Sequence, residues 1–218
     1  MTDIFREVDD ALQKEKLERV WQQHGSLIIG GVLAIILGTA LSTAWTSWRQ
    51  HSNEKATAEI IAALEDKNPQ EKLTSLAGDL DGGHKTVALL AQAGLMAEKG
   101  DAEKAAGLYK QVYESRAPES LRDLARVFYV RTKAEKTPPA QTAQDLLAVI
   151  APVMNNNKSP WTWQARLDSA VLTASALGKP AEALSLLAAF DKAEGISASL
   201  KDKAAALQQV YAAQGTKE

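Results

Sequence analysis

No cysteine occurs in the 218 residues. Its absence excludes disulfides, thiolate metal sites, a nucleophilic thiol and a lipid-bearing cysteine near the N-terminus. It is compatible with either side of a bacterial inner membrane, so it does not place the chain. Histidine is nearly as scarce. His24, His51 and His84 are scattered, and the first two flank an apolar stretch at opposite ends, so they cannot share a metal. No run of alternating β-branched residues appears, so no strands are expected. Neither Gly-x-Ser-x-Gly nor His-Glu-x-x-His occurs. Gly78–Thr86 resembles a phosphate-binding loop only superficially, because His84 stands where that motif needs lysine directly after glycine and no strand precedes it. An excess of one charge is lacking too. Six acids and four bases lie in residues 1–24, and 21 of each follow residue 48. A neutral domain argues against a nucleic-acid or anionic-lipid binder, which needs a basic surface. Carboxylates are spread among bases as on an ordinary solvated helix face. The chain is therefore expected not to be an enzyme and to need no cofactor.

What is present is one long apolar stretch. Residues 25–48 contain no charged residue and no proline, and Trp45 and Trp48 close them. As a helix they would be about 36 Å long, enough to cross a hydrocarbon core about 30 Å thick with some tilt. The amphipathic rings of the closing tryptophans suit the headgroup level. A cleavable signal peptide would have a short basic leader, whereas residues 1–24 are long and on balance acidic. A core helix of a globular domain would carry a polar stripe, and here only serine and threonine interrupt the run. The stretch therefore reads as a single transmembrane anchor. Lys14, Lys16 and Arg19 precede it while Arg49 and Lys55 follow. This narrow excess of bases favours a cytoplasmic N-terminus and an exported, periplasmic C-terminal domain.

Ahead of the anchor, Phe5, Val8, Leu12, Leu17, Val20 and Trp21 fall at roughly helical spacing. The segment 1–24 suits either an amphipathic helix on the membrane face or a cytoplasmic docking segment. Within the anchor, Gly30, Ala34, Gly38 and Ser42 recur every four residues. Such a stripe lets a second membrane helix approach closely, although glycine is common in membrane helices generally.

Past the anchor the pattern is helical almost throughout. Residues 49–67 run without a breaker, and Asn68-Pro69-Gln70-Glu71 restarts a helix with Asn at the N-cap, Pro at the first helical position and Glu reaching back. A loop is expected over residues 78–83. Three hairpins are then predicted: 86–99 with 102–115, 119–136 with 140–154, and 160–177 with 180–190. A last helix over about 197–214 caps the series. Asp101, Thr137 and Ser159 are candidate N-caps, and Pro160 and Pro180 suit first-turn positions.

The hairpins share a signature. Gly100-Asp101-Ala102-Glu103-Lys104-Ala105, with Tyr109 four residues on and Ala93 before it, resembles the turn and second helix of a tetratricopeptide repeat. Gly178-Lys179-Pro180-Ala181-Glu182-Ala183 with Leu187 repeats it, with Val171 at the earlier position, and Ala143 with Leu147 gives a weaker copy. Alanine at the crossing lets two antiparallel helices close up, and the large residue beyond plugs the gap to the next hairpin. The aromatics Tyr109, Tyr113, Phe128, Tyr129 and Phe190 are expected to pack between helices. Trp161 and Trp163 point to different sides at a hairpin's start. Either both are core, or one is exposed and is a candidate partner-binding residue.

The expected fold class is all-α: a single N-terminal transmembrane helix followed by a tetratricopeptide-like helical-hairpin solenoid. Its parts are an N-terminal segment 1–24, the anchor 25–48, a helical connector 49–85 and a repeat domain 86–218. The order of features is similar to that of the YfgM-like family of bacterial inner-membrane proteins: a charged N-terminus, His24-Gly25 before one tryptophan-ended anchor, then these hairpins. That resemblance implies a cytoplasmic N-terminus, a periplasmic helical domain, and association with the protein-export translocon and with periplasmic chaperones handling newly exported polypeptides. It supplies no catalytic residues. Two functional readings stand. One is a membrane-tethered interaction module whose first helices line a concave surface. The other is an accessory or regulatory subunit that binds mainly through its anchor, with the helical domain as spacer or brake.

Overall fold

The computed structural model describes residues 53–215. The anchor, its stripe of Gly30, Ala34, Gly38 and Ser42, and the segment 1–24 lie outside the described residues. The described residues from Ala56 onward form one compact unit. The described residues are helical with no strand. Helix α1 covers residues 53–65, followed by α2 (Pro69–Asp79), α3 (Gly82–Glu98), α4 (Ala102–Tyr113) and α5 (Glu119–Ala134). After these come α6 (Ala140–Met154), α7 (Thr162–Ser175), α8 (Pro180–Leu187) and α9 (Ala198–Gly215).

From α2 onward each helix packs on the next, and the buried clusters show how the hairpins join. Ile60 and Ala63 of α1 meet Leu73 and Ala77 of α2 together with Ala88 of α3. Ala93 and Met96 of α3 meet Ala105 and Tyr109 of α4, with Phe128 of α5 against them. Val127 and Val130 of α5, Ile150 of α6 and Leu172 of α7 form a third cluster. Leu167, Ala183, Leu187 and Tyr211 join α7, α8 and α9 in a fourth. Each core thus belongs to one hairpin and the helix after it, so stability accrues between neighbours along a line. The stretch 49–85, expected as a connector, contributes α1 and α2 to the first of these cores.

The turns follow local chemistry. Gly100 at φ +79° lies in the left-handed region open to glycine. There the Gly100 N–H donates to the Ala97 carbonyl and the Asp101 N–H to that of Met96, at 3.0 and 2.9 Å. This paired closure ends α3 with its last carbonyls satisfied. Asp101 then caps α4, accepting the Lys104 N–H at 3.3 Å. The Lys104 ammonium and N–H hold the Asp101 carboxyl below its ordinary value.

Several expected boundaries move. Asn68 occupies the N-cap of α2 without a side-chain cap bond; its own N–H is taken by Asp66 Oδ1 at 2.9 Å. The loop expected over 78–83 shrinks to Leu80 and Asp81, because Gly82 starts α3 and Thr86 bonds back to the Gly82 carbonyl as a helical residue. Thr137 caps nothing, since the two prolines after it carry the chain to the start of α6 and leave Pro139 at the N-cap. Pro160 stays in the turn, because Ser159 bonds the Trp161 N–H and Thr162 bonds the Ser159 carbonyl, delaying α7 to Thr162. The helix expected to reach Phe190 tightens into a 3-10 turn at Ala188–Lys192.

Ala93 and Ala105 are fully buried at the first crossing. Tyr109, four residues on, stacks on Phe128 of the next hairpin with centroids 5.4 Å apart. In the third hairpin Ala183 and Leu187 keep their places, but Val171 is 37 % exposed and Ala170 is the buried small residue. The cause is turn length. Four residues separate α7 from α8 where three separate α3 from α4, so the matching position falls one residue earlier. Because Ala105 has no spare volume around it, Ala105→Leu is expected to cost about 1–3 kcal/mol. Gly107→Ala, whose added methyl meets nothing within 4 Å, should gain up to about 1 kcal/mol. Urea denaturation of the full chain followed by circular dichroism reads both.

Candidate functional site

The first helices of successive hairpins also touch one another: α3 meets α5, and α5 meets α7, whereas no comparable contact links α4 to α6 or α6 to α8. The first helices therefore form an inner row and the second helices an outer one. On α3, Val87, Ala91, Gly94 and Glu98 recur at helical spacing on one face. Gln92, on a different face, bonds Thr74 of α2 and marks the outer side. Leu124, Arg131 and Glu135 occupy the matching spacing beginning in α5, and Gln164, Asp168, Val171 and Ser175 do so in α7.

Five large aliphatic side chains are well exposed among the described residues: Ile61, Leu64, Val87, Val171 and Val210. Four of the five lie on α1, α3 and α7, all first helices, and none on α2, α4, α6 or α8. Val210 is on α9. A scattered exposed aliphatic is ordinary, but the gathering of four on one row of helices marks a surface that gains by being covered. Gly94 adds to this. A side chain there would meet nothing within 4 Å, so packing does not require glycine, although glycine costs about 1 kcal/mol against alanine inside a helix. It leaves that position of the row without a side chain.

At the other end the row is polar. Arg131 of α5 grips Asp168 of α7 through Nε and Nη2, at 2.8 and 3.2 Å, and Gln164 donates to the same carboxylate at 3.0 Å. Only 14 % of the Asp168 side chain is exposed, against 43 % of Arg131. Burial raises the Asp168 carboxyl above its ordinary value of 3.8 even though Arg131, Gln164 and the charge of Lys203 on α9 pull it down. The desolvation cost of the carboxylate exceeds what these partners return.

Trp161 and Trp163 point to different sides, and the structure does not bring them together. Trp161 donates its indole N–H to the Ser120 carbonyl at 2.9 Å, pinning the start of α7 to α5. Trp163 meets Phe190 edge-on at 5.0 Å and carries the Arg166 guanidinium 4.8 Å from its ring centre. Both are half-buried. Tyr113 and Tyr129 also pair edge-on, at 5.4 Å, as aromatics expected between helices. Among the described residues no group of three His, Cys, Asp or Glu side chains could hold a metal. His84 stands near the start of α3 after a helix rather than a strand.

A tetratricopeptide repeat-like domain family matches residues 18–153, well over half of the chain. The chain belongs to that family. No curated protein and no solved structure matches it. In a tetratricopeptide-like stack an inner row of first helices is the surface on which proteins are held, so the family and the exposed aliphatics indicate the same face. The matched residues include α1 and α2 as well as the apolar stretch, and end in α6. The hairpin of α7 and α8 lies beyond them and continues the stack by its own packing.

Sequence reasoning missed Ile61, Leu64, Val87, Gly94 and the Arg131–Asp168 pair. The spacing of four, seven and eleven residues along each first helix was the available signal, but it does not say which face is left uncovered. A carboxyl raised in the fold stays protonated there at pH values where the unfolded chain has ionised. Asp168 therefore contributes most to stability below 3.8 and less as pH climbs through the raised value. Asp168→Asn cannot ionise, so it is expected to remove that declining component. Urea midpoints measured at successive acidic pH values would check this, and an unchanged or steeper decline in the variant would contradict it.

Proposed function

We propose that the chain is a membrane-anchored protein–protein interaction module whose inner row of helices holds a segment of a partner polypeptide. The observation that carries the reading is that four of the five exposed large aliphatics, Ile61, Leu64, Val87 and Val171, lie on first helices, with Val210 on the last helix α9. Membership of the tetratricopeptide repeat-like family supports protein partners in general. The anchor rests on residues 25–48 of the sequence. Among the described residues no helix is long and apolar enough to cross a membrane, and the stretch lies outside them. The family match begins at residue 18 and takes in that stretch together with the hairpins.

The finer reading follows the YfgM-like resemblance: a bacterial inner-membrane protein with its N-terminus in the cytoplasm and its helical domain in the periplasm. There it would be an ancillary subunit of the export translocon that assists newly exported polypeptides and periplasmic chaperones. Tethering raises the local concentration of the helical domain beside a membrane partner, so weak contacts suffice. The chain is read as a binding protein rather than an enzyme. The small-residue stripe of Gly30, Ala34, Gly38 and Ser42 favours a second reading, in which an accessory subunit binds through its anchor and the helical domain is a spacer or brake. Trp161, at the seam of α5 and α7, borders the inner row, whereas Trp163 is turned to Phe190.

Two measurements test these readings. Protease added outside intact spheroplasts should digest residues 49–218, and full protection would reverse the topology. Photo-crosslinkers at Val87 and Val171 should capture exported chains while one at the outer Lys110 does not. Adducts arising only from Gly30, Ala34 or Gly38 would favour the second reading.

A further inference from the structure

The two ends of the inner row differ in chemistry. At the α5–α7 end Arg131 is committed to Asp168, and Val171 is the exposed large aliphatic among the described residues of those two helices. At the α1–α3 end Ile61, Leu64 and Val87 are 52 %, 41 % and 42 % exposed. Ala91 and the open position of Gly94 leave the surface between them shallow.

The charge around this apolar end is one-sided. Glu65 closes α1 and Glu98 closes α3, each at the helix end where the backbone dipole is already negative. Neither α1 nor α3 offsets this with a basic residue in its last turn. The lysines that follow, Lys67 and Lys99, are drawn to the outer side. Both line the cleft beside Pro69, Gln70 and Thr74 of α2, and Lys99 Nζ donates to Gln70 Oε1 at 3.3 Å. Aliphatic surface and negative charge therefore lie together on the inner side, with the positive charge held away from it.

We propose that the inner face of α1 and α3 docks an aliphatic stretch of a partner polypeptide with a lysine or arginine beside it. This rests on the reading of the inner row as the binding surface and adds the chemistry of the occupant. The aliphatic side chains cover Ile61, Leu64 and Val87 and lie across the open position of Gly94, and the basic group lies at Glu98 and Glu65. For an acidic segment, the nearest lysines after α1 and α3, Lys67 and Lys99, lie in the cleft beside α2. A second copy placed symmetrically on it would bring the same carboxylates together. An anionic lipid surface would be repelled by them.

Three peptides of equal length distinguish the possibilities when titrated against the full chain by fluorescence anisotropy. One has a leucine-valine core with lysine flanks, one the same core with glutamate flanks, and one a serine-glutamine core with lysine flanks. The first should bind about tenfold or more tightly than either of the others. Gly94→Leu, which puts a bulky side chain on the proposed contact surface, should weaken it by about tenfold, and Glu98→Lys should bring the lysine- and glutamate-flanked forms close to parity. Gly107→Leu on the outer α4 should change nothing. Equal binding of the three peptides, no binding of the first, or equal losses in the Gly94 and Gly107 variants would overturn the proposal. Crosslinkers separate its failure from that of the broader reading. Capture of the first peptide from Val171 but not Val87 keeps the inner row and overturns this assignment, whereas capture from neither overturns both. A wild-type dimer that Gly94→Leu converts to monomer would make a second copy the occupant and also overturn it.

Discussion

Close approach of helices through alanine is the constraint on which this stack depends. Ala93 and Ala105 at the first crossing, Ala143 of α6 at the second, and Ala170 and Ala183 at the third are all inaccessible to solvent. Each removes the side-chain bulk that would otherwise hold two helices apart. With the helices drawn together, the large residue one turn further on is the correct length to reach the neighbouring hairpin. Tyr109 against Phe128 shows this directly. The stack is thus assembled from small and large side chains alternating across facing positions, with no single central core.

The same geometry sorts the surface. Because α3, α5 and α7 touch in sequence, residues on their free faces are brought side by side although they lie some thirty to forty positions apart. Arg131 with Asp168 and Lys133 with Glu103 join neighbouring hairpins, and Asn156 with Glu119 closes the hairpin of α5 and α6. Most of these are exposed and contribute little to stability individually. Asp168 is the exception, since its burial makes it a costly group that only the Arg131 grip renders tolerable. Among the described residues the exposed aliphatics of α1 and α3 have no such compensation, which is why the proposal rests there.

Much of this architecture was legible. The hairpins from the turn after α3 to the end of α6, the glycine turn at Gly100, the cap at Asp101 and the partners Ala105 and Tyr109 follow from residue types whose preference is local: glycine for a left-handed turn, aspartate for free helix N–H groups, alanine for a crossing. Failures arose where neighbouring groups competed. Asn68 keeps the N-cap position before Pro69, but its N–H, the expected target of Glu71, is claimed by Asp66. Thr137 precedes two prolines that push the helix start beyond its reach. Val171 was placed by copying the spacing of a shorter turn.

The sequence by itself determined that the described residues would be helical, that they would pair as hairpins, and which small residues would face the crossings, because these depend on periodicity and on single-residue preferences. It also supplied the apolar stretch 25–48, whose length and lack of charge are properties of the chain alone. Only the tertiary structure decided that α1 and α2 join the stack, that Ala170 rather than Val171 is buried, and that Asp168 is paired across hairpins. It also decided that Ile61, Leu64, Val87 and Val171 remain uncovered on one row. Exposure depends on what lies opposite a residue, and that neighbour is brought there by packing of segments distant in the chain.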